Sequence, residues 1–482
     1  MIKSYSKARI FRQSGVAFLL GIVFSYFFTF KIFLLIFPFF VFFYLLKRKT
    51  IPILVFLLIF LSFFVGFLRL KSAYHLLNFN LSNFNISKEN IFYIVFSEEA
   101  ENYQKIIIKP PDFSFKGGII YTDLRPKYYK GEVIRVEKGK FEKIANPYYT
   151  SGLFITFKFL NPQIEKIKSG NFYTKFAILK EKIKNIFNYY LKEPQASLLN
   201  SLVFGRKGNL GKEIEEKLNL SGLSHLVAVS GLHLVLLTKI IIDFLNNFSL
   251  KRIIKYFILF FLLLVFAFLA DFTPSISRAL IMATLLIFAE LNFRIYHPLN
   301  SLILTLIIMV YLNPFVLFYD FGFELSFLAT LGIITFSPLL GKWQFFEKEI
   351  FKKQLKIFKD TFVTTSSSLI LVYPLIVLKT GKITLLSLIS NLLVVPLISY
   401  ILIFALILIF VSFLTLPSLV IAFILNGFLS YLLLVSSFFS SLKPFIVFIP
   451  YKLKWLFVIF YFLIAFYYVK LKKEKLFLDK ND

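Results

Sequence analysis

The sequence contains no cysteine, only four histidines and only three methionines among its 482 residues. Without cysteine the chain can form no disulfide, no thiolate metal site and no cysteine nucleophile. Acidic residues are scarce as well: 26 Asp and Glu stand against 55 Lys and Arg, which gives a formal net charge of +29. This excess favours a polyanionic partner such as nucleic acid. It does not prove one, because cytoplasmic loops of membrane proteins also collect Lys and Arg.

Apolar residues dominate the composition, which is 58% hydrophobic and 19% aromatic. A soluble protein of this length could not bury so much apolar surface, so the composition predicts a polytopic α-helical membrane protein. The first apolar run is longer than that of a signal peptide and has no small-residue cleavage site. We therefore expect no cleaved leader.

About twelve apolar runs are long enough to span a bilayer. They lie at 14–30, 32–46, 51–70, 223–247, 253–270, 274–292, 298–312, 321–340, 361–380, 383–412, 415–440 and 450–470. Placing the N-terminus inside puts the basic loops and the basic tail on the cytoplasmic side, in agreement with the positive-inside rule. The sequence therefore predicts a multi-pass protein of the cytoplasmic (inner) membrane with both termini in the cytoplasm.

Residues 71–192 have a different pattern. Gly and Pro separate five strand-length apolar runs, at 91–96, 104–109, 118–122, 131–137 and 153–160. Five short strands predict one small external β-barrel, for which an OB-fold is the economical choice. Tyrosines alternate with basic residues along it, and such barrels bind single strands by stacking bases on aromatic rings in a basic groove. The residues predicted to bind single-stranded DNA are Tyr121, Lys127, Tyr128, Tyr129 and Lys130. Packing in the barrel core or against the membrane interface explains these side chains equally well.

The segment after the barrel predicts an amphipathic helix at 172–192 and two short helices at the outer surface within 194–222. The domain organisation follows from these patterns. We predict N-terminal transmembrane helices at 1–70, the external OB-like domain at 71–170, amphipathic and surface helices at 171–222, a transmembrane channel domain at 223–470 and a basic cytoplasmic tail at 471–482.

Residues 222–237 read GLSHLVAVSGLHLVLL and open a long apolar run. A segment that only crossed a bilayer would need none of His225, Ser230 and His233, and polar groups inside membranes usually have a function. Helix packing through small residues is the alternative. The histidines are too far apart on a continuous helix to share a metal ion. Because Ser230 also lacks the strand–turn–helix setting of a catalytic serine, this stretch predicts a polar lining or a hinge.

Three other predicted spans carry polar residues. Arg278 lies about one turn into its helix, where it either snorkels to the membrane surface or contacts phosphates through its guanidinium fork. Asp320 and Glu324 are four residues apart and are predicted to share a helix face, where they either neutralise Arg278 or repel a polyanion. Asn391 and Pro396 interrupt the run 383–412, which favours a broken or re-entrant helix there.

Four stretches together resemble the ComEC family of competence proteins, the inner-membrane channels for transforming DNA. We number them motifs I to IV in chain order. Motif I is 222–237 with SLVFG at 201–205 before it, motif II is TPSISRALIM at 273–282, motif III is NP at 313–314 with FGFELSFLATLG at 321–332, and motif IV is SNLLVVP at 390–396. Four motifs in the family's order are far more specific than any one of them.

The resemblance implies a channel that passes single-stranded DNA across the cytoplasmic membrane during natural transformation. The residues expected along the translocation path are His225, Ser230, His233, Arg278, Glu324 and Asn391. The expected partners are single-stranded DNA, the lipid bilayer, a DNA receptor outside, and a motor or strand-capture protein in the cytosol, with a homo-oligomer possible. We expect no cofactor.

Two departures from the family matter. Motif III has Glu324 where the family pattern has Gln, which places an extra acid in the membrane. Many family members also carry a C-terminal metallo-β-lactamase-like domain, a candidate nuclease, which we expect to be missing here. Four histidines in the whole sequence are too few for a multi-histidine two-metal site.

The sequence contains no Gly-rich nucleotide-binding loop, so neither an ATPase nor a nuclease is expected. Two other classes of function stay open. A secondary transporter of a small metabolite would have inverted repeats and paired broken helices, and no convincing internal repeat is visible. A membrane-embedded enzyme acting on lipid-linked glycans would use the His and acidic residues as acid–base groups.

Overall fold

The computed structural model describes residues 7–27, 53–77, 91–99, 103–110, 116–168, 172–205, 210–227, 231–341, 356–442, 446–450, 453, 456–461 and 463–464. These residues are mostly helical, with one β-barrel in the N-terminal part. The chain divides into two compact units. The first unit is 1–183 with 249–324, and the second unit is 184–248 with 325–482.

The first unit begins with two apolar helices, α1 (Lys7–Phe27) and α2 (Ile53–Leu77), which pack against each other. Glycines let their backbones touch. A Cβ atom on Gly21 would lie 1.9 Å from the carbonyl oxygen of Phe63, and one on Gly66 would lie 2.0 Å from that of Phe18. Such reciprocal contact through small residues is typical of helix pairs in membranes, where van der Waals packing drives association.

The barrel of the first unit has five strands. They are β1 (Ile91–Glu99), β2 (Gln104–Lys109), β3 (Lys116–Thr122), β4 (Val133–Thr150) and β5 (Leu153–Lys168). The barrel closes in the order β1-β2-β3-β5-β4, and all neighbours are antiparallel except β3 and β5. Its interior is so tightly filled that a Cβ atom on Gly118 would lie 2.0 Å from the ring of Phe157.

The five predicted strands are confirmed, but β4 and β5 are longer than predicted. The pair Asn146-Pro147, which marks a break in the sequence, lies inside β4. The register of β4 with β5 shifts between Lys143 and Tyr148. A bulge of this kind is one of the few places where a strand tolerates proline, so the strand continues past it.

The rest of the first unit is helical. The predicted amphipathic helix is confirmed as α3 (Phe172–Tyr190). The helices that follow in this unit are α8 (Arg252–Leu269), α9 (Pro274–Leu291), α10 (Pro298–Leu312) and α11 (Val316–Tyr319). The turn between α8 and α9 is tight, because Asp271 and Phe272 have φ angles of 57° and 51°. Left-handed backbone at two residues that are not glycine costs about 1–2 kcal/mol each.

The second unit combines short and long helices. The short ones are α4 (Gln195–Phe204), α5 (Lys212–Leu220), α6 (Ser224–Val227) and α7 (Gly231–Asn246). The long ones are most of α12 (Phe321–Leu340), α13 (Lys356–Thr380), α14 (Ser387–Val411) and α15 (Thr415–Ser441). A small antiparallel sheet pairs β6 (Lys382–Thr384) with β7 (Ile446–Phe448). Eight of the ten residues of α4 are buried within the protein. The position of α4 and α5 at the outer surface of the membrane stays a prediction.

Eight helices of the described residues are long and apolar enough to cross a membrane: α1, α2, α8, α9, α12, α13, α14 and α15. Each coincides with a predicted span. The predicted spans 32–46 and most of 450–470 fall outside the described residues. The predicted span 298–312 is the shorter apolar helix α10. In the predicted span 223–247, the described residues include the helices α6 and α7, and 228–230 fall outside the described residues. The long run 383–412 forms the single helix α14, with Pro396 inside it.

Candidate functional site

Most of the described residues of motif I lie on two helices, α6 and α7. His225 lies on α6, with its Nδ1 atom 3.2 Å from the carbonyl oxygen of Gly222. His233 lies in the first turn of α7 and is completely buried. Ser230, between the two helices, lies outside the described residues. The two histidines therefore lie on different described helices, α6 and α7.

The entrance of motif I packs on the start of motif IV. The hydroxyl of Ser390 donates a hydrogen bond of 2.7 Å to the carbonyl oxygen of Ser221. Gly222 has a φ of 77°, and a Cβ atom there would lie 2.3 Å from the Cβ atom of Ser387. Only glycine fits both this backbone conformation and this contact. The two motifs, more than 160 residues apart in sequence, therefore meet in the second unit.

The first turn of α14 carries a run of buried polar side chains. Ser387, Ser390 and Asn391 are all less than 5% exposed. The hydroxyls of Ser387 and Tyr373 form a short hydrogen bond, and Tyr373 also donates to the carbonyl oxygen of Thr384 at 3.0 Å. The Oδ1 atom of Asn391 has no hydrogen-bond partner among the described residues. A buried amide oxygen without a partner is costly, and membrane proteins keep such groups mainly where they serve a function.

The buried helix α4 brings more polar groups into the second unit. Ser197, Asn200 and Ser201 are buried on it. The amide of Asn200 donates to Asn188 at 2.8 Å, while its own Oδ1 atom has no partner among the described residues. These residues were not predicted from the sequence. The signal was present, since Ser197 and Asn200 are three residues apart and fall on one face of a helix.

Arg278 of motif II belongs to the first unit and is 8% exposed on α9. Its guanidinium Nη1 lies 3.7 Å from the sulfur of Met282, one turn further along the helix. Such burial argues against the snorkelling interpretation, in which the head group would reach water at the membrane surface. Arg278 lies in the first unit, whereas His225, His233 and Asn391 lie in the second.

The two acids of motif III do not share a helix face. Asp320 precedes α12, and its Oδ1 atom accepts a hydrogen bond of 2.9 Å from the backbone N–H of Phe323. It is therefore an N-cap, which satisfies a free N–H group of the first helical turn. Glu324 lies in that first turn, where a negative charge is favoured by the helix dipole.

Asn313, the first residue of motif III, contacts the barrel. The side-chain amide of Asn313 donates to the Tyr149 hydroxyl at 2.8 Å and to the Gly152 carbonyl oxygen at 3.2 Å. The rings of Phe154 and Phe315 meet edge to face, with centroids 5.1 Å apart. Burial, reinforced by the nearby Asp320, raises the pKa of the Tyr149 phenol. The β4–β5 hairpin is therefore docked on the loop between α10 and α11, a role of Asn313 that the sequence did not indicate.

Four of the five barrel residues predicted to bind DNA contact other parts of the protein. Tyr128 is 4% exposed and packs in the barrel core, so it offers no ring face to a base. Lys127 forms ion pairs with Glu181 of α3 at 2.5 Å and with Glu99 at 3.2 Å.

The remaining members of this group are engaged in the same way. The Tyr129 hydroxyl donates a short hydrogen bond to Glu181. Lys130 lies 3.7 Å from Asp271, which also pairs with the buried Lys180 at 2.7 Å. Tyr121 differs, because it is 44% exposed on β3.

Comparison with known proteins identifies the family. A profile of the family described as "Competence protein" matches residues 202–474, which is more than half of the chain. This chain belongs to the competence protein family. It is 25% identical over 169 residues to "ComE operon protein 3" of Bacillus subtilis (strain 168), a match that covers 35% of this chain and 22% of that relative.

A second relative of this competence family member comes from Aquifex aeolicus (strain VF5) and is described as "Uncharacterized protein". The two are 34% identical over 135 residues, which is 28% of this chain and 32% of the relative. The chain thus spans less than a third of the length of either relative. No solved structure matches it.

The resemblance to the ComEC family is thereby confirmed. Membership in the competence family, together with the apolar helices long enough to cross a membrane, makes this a multi-pass membrane protein. The matched segment contains motifs I to IV from Leu202 onward and excludes the barrel. Among the described residues there is no group of three or more His, Asp or Glu that could hold a metal ion.

Proposed function

We propose that this member of the competence family passes single-stranded DNA across the cytoplasmic membrane during natural transformation. The observation that supports this most is the polar interior of the second unit. His233 and the α14 residues Ser390 and Asn391 are buried within otherwise apolar helices. A phosphodiester chain inside a membrane needs polar groups that replace part of its hydration, because a bare chain would be far too costly there.

The proposed path uses the residues that the sequence singled out: His225, Ser230, His233, Arg278, Glu324 and Asn391. Arg278 contacts phosphate oxygens, which its planar fork fits. Asn391, whose amide oxygen has no hydrogen-bond partner among the described residues, and His233 offer polar contacts that pass a strand without trapping it. The buried Asn200 of α4 joins this set because its Oδ1 atom has no hydrogen-bond partner among the described residues.

The barrel delivers the strand from the outer side of the membrane. A closed five-stranded barrel in the order β1-β2-β3-β5-β4 supports the OB-fold, which binds oligonucleotides on its outer surface. In this arrangement both termini are cytoplasmic, and a receptor outside and a motor or strand-capture protein inside complete the route. No step requires a cofactor.

The test is a strain that lacks this gene, complemented with variants of the chain. The deletion strain is expected to bind DNA outside but to bring none inside. Arg278→Leu should fail to restore import, while Arg294→Leu, a matched change of an exposed arginine after α9, should restore it. Arg278→Lys should fall between, because lysine keeps the charge but loses the fork.

Protein level and external DNA binding must stay unchanged in every variant. Normal import by the Arg278→Leu protein would remove the phosphate-contact role. Normal import by the deletion strain would contradict the proposed function itself. An altered cell envelope together with normal DNA import would support the alternative function, a membrane-embedded enzyme that acts on lipid-linked glycans.

A further inference from the structure

One surface of the barrel carries aromatic rings that are partly exposed. Tyr103, just before β2, and Tyr121 on β3 are each 44% exposed. Their ring centroids lie 5.4 Å apart with the planes at 73°. Tyr148 is similarly exposed at 43%, and burial, then the neighbouring Tyr121 phenol, raises its pKa. Tyrosine is enriched at interfaces, because its ring is apolar and its hydroxyl is polar.

The register of the strands fixes which way Tyr121 points. Ile120 belongs to the cluster inside the barrel, so its neighbours Ile119 and Tyr121 lie on the outer face. Lys105 of β2 is the direct cross-strand partner of Tyr121 and therefore lies beside it on the same face. Glu98 of β1 is the next residue in register with Lys105, so the charge around the rings is mixed.

This geometry separates two kinds of contact with a nucleic acid strand. An edge-to-face pair leaves ring faces free, and nucleobases of any sequence stack on such faces. The mixed charge gives little general attraction for phosphates, and Lys105 adds a cation beside Tyr121. The basic residues near Tyr129, by contrast, are held in ion pairs with Glu99, Glu181 and Asp271.

We propose that Tyr103 and Tyr121 form a stacking platform for the bases of single-stranded DNA, with Lys105 contacting the adjacent phosphate. This rests on the proposed function, and it assigns the delivery step to one patch of the barrel. The strand is bound at the outer face of β2 and β3. The loop 123–132 then has a different task, which is to fasten the barrel to α3.

The experiment uses the full chain in lipid nanodiscs and a fluorescent oligothymidylate of about 16 nucleotides, with binding followed by anisotropy across a range of salt concentrations. Tyr103→Ala and Tyr121→Ala should each weaken binding about tenfold, the loss of one stacked base. Neither should change the slope of log Kd against log salt, because no phosphate contact is lost. Tyr121→Phe should bind normally, because the ring remains.

Lys105→Gln, in contrast, should reduce the slope of log Kd against log salt by about 0.7, which is the contribution of one phosphate contact on a single strand. The matched control is Tyr93→Ala. Tyr93 is 45% exposed on the same barrel and also faces a lysine, Lys109, but at the other end of β2. It should bind as the unchanged chain does.

Equal weakening by Tyr93→Ala, or no weakening by Tyr103→Ala and Tyr121→Ala, would overturn the platform and leave the proposed function standing. If the unchanged chain binds no oligonucleotide even at low salt, the platform and the delivery role of the barrel both fail. The thermal unfolding midpoint of each variant must match that of the unchanged chain, which the exposure of these tyrosines leads us to expect.

Discussion

Replacement of Gly222 by alanine is the sharpest test of how motif I is held in place. Gly222 follows α5 with a φ of 77°, and a left-handed conformation costs a residue with a Cβ atom about 1–2 kcal/mol. The new Cβ atom would also lie 2.3 Å from that of Ser387, and overpacking of this kind costs about 1–3 kcal/mol. We therefore expect Gly222→Ala to destabilise the second unit by about 2–5 kcal/mol.

Two further variants separate these two causes. Gly211→Ala is the matched control, because Gly211 starts the same helix with a φ of −53° and has no atom within 4 Å of the added Cβ. It should cost less than about 1 kcal/mol, the usual effect of alanine at an N-cap. Ser387→Gly combined with Gly222→Ala removes the overlap but not the backbone strain, so a double-mutant cycle should recover about 1–3 kcal/mol.

The assay is thermal unfolding of the purified full chain, read together with DNA import in a complemented strain. Gly222→Ala should lower the midpoint clearly and reduce import, while Gly211→Ala should change neither. Equal stability of the two variants would refute the contact between motifs I and IV. Destabilisation that Ser387→Gly does not relieve would assign the whole effect to the backbone.

Three other results follow from the same structure. Gly66→Val should separate α1 from α2 and lower the yield of folded protein in membranes, because the added side chain meets backbone; a normal yield would show that the pair does not pack this closely. Burial and the hydrogen bond to Glu181 raise the pKa of the Tyr129 phenol. The neutral phenol therefore stabilises the junction of the barrel and α3 up to about pH 10, and this stability is lost as the pH rises further. Glu181→Gln should flatten the fall of the unfolding midpoint above that pH, and an unchanged fall would place its cause elsewhere. A single cysteine in place of Tyr121 should react with an impermeant reagent only from outside, and one in place of Arg294 only from the cytoplasm. The reverse pattern would invert the topology.

Elements whose residues interact locally were predictable from the sequence. The strand at 104–109 was placed correctly to the residue, because apolar runs bounded by Gly and Pro report local structure. The spans α8, α9 and α15 differ from prediction only at their ends. Length and hydropathy decide such helices, and no distant contact is needed to find them.

Elements set by tertiary contacts were missed. The burial of α4 was not predicted, because the segment 194–222 is rich in charged residues and because Asn200 and Ser197 lower the hydropathy of the helix. The basic and aromatic residues at 127–130 predicted an open binding surface. The sequence cannot show that Lys127 pairs with Glu181, which is 54 residues away. The N-cap role of Asp320 was likewise hidden by its spacing to Glu324, which suits a helix face equally well.

The central claim, passage of single-stranded DNA through this chain, is tested most directly with purified protein in liposomes that contain a trapped single-strand-binding protein. The trapped protein captures any strand that enters and so supplies a driving force. A labelled single-stranded oligonucleotide should accumulate inside, and the corresponding duplex should stay outside. The His233→Leu chain should admit neither, while His297→Leu, a matched change at an exposed histidine before α10, should behave as the unchanged chain. Absence of any accumulation with the unchanged chain, or equal accumulation with His233→Leu, would contradict the account.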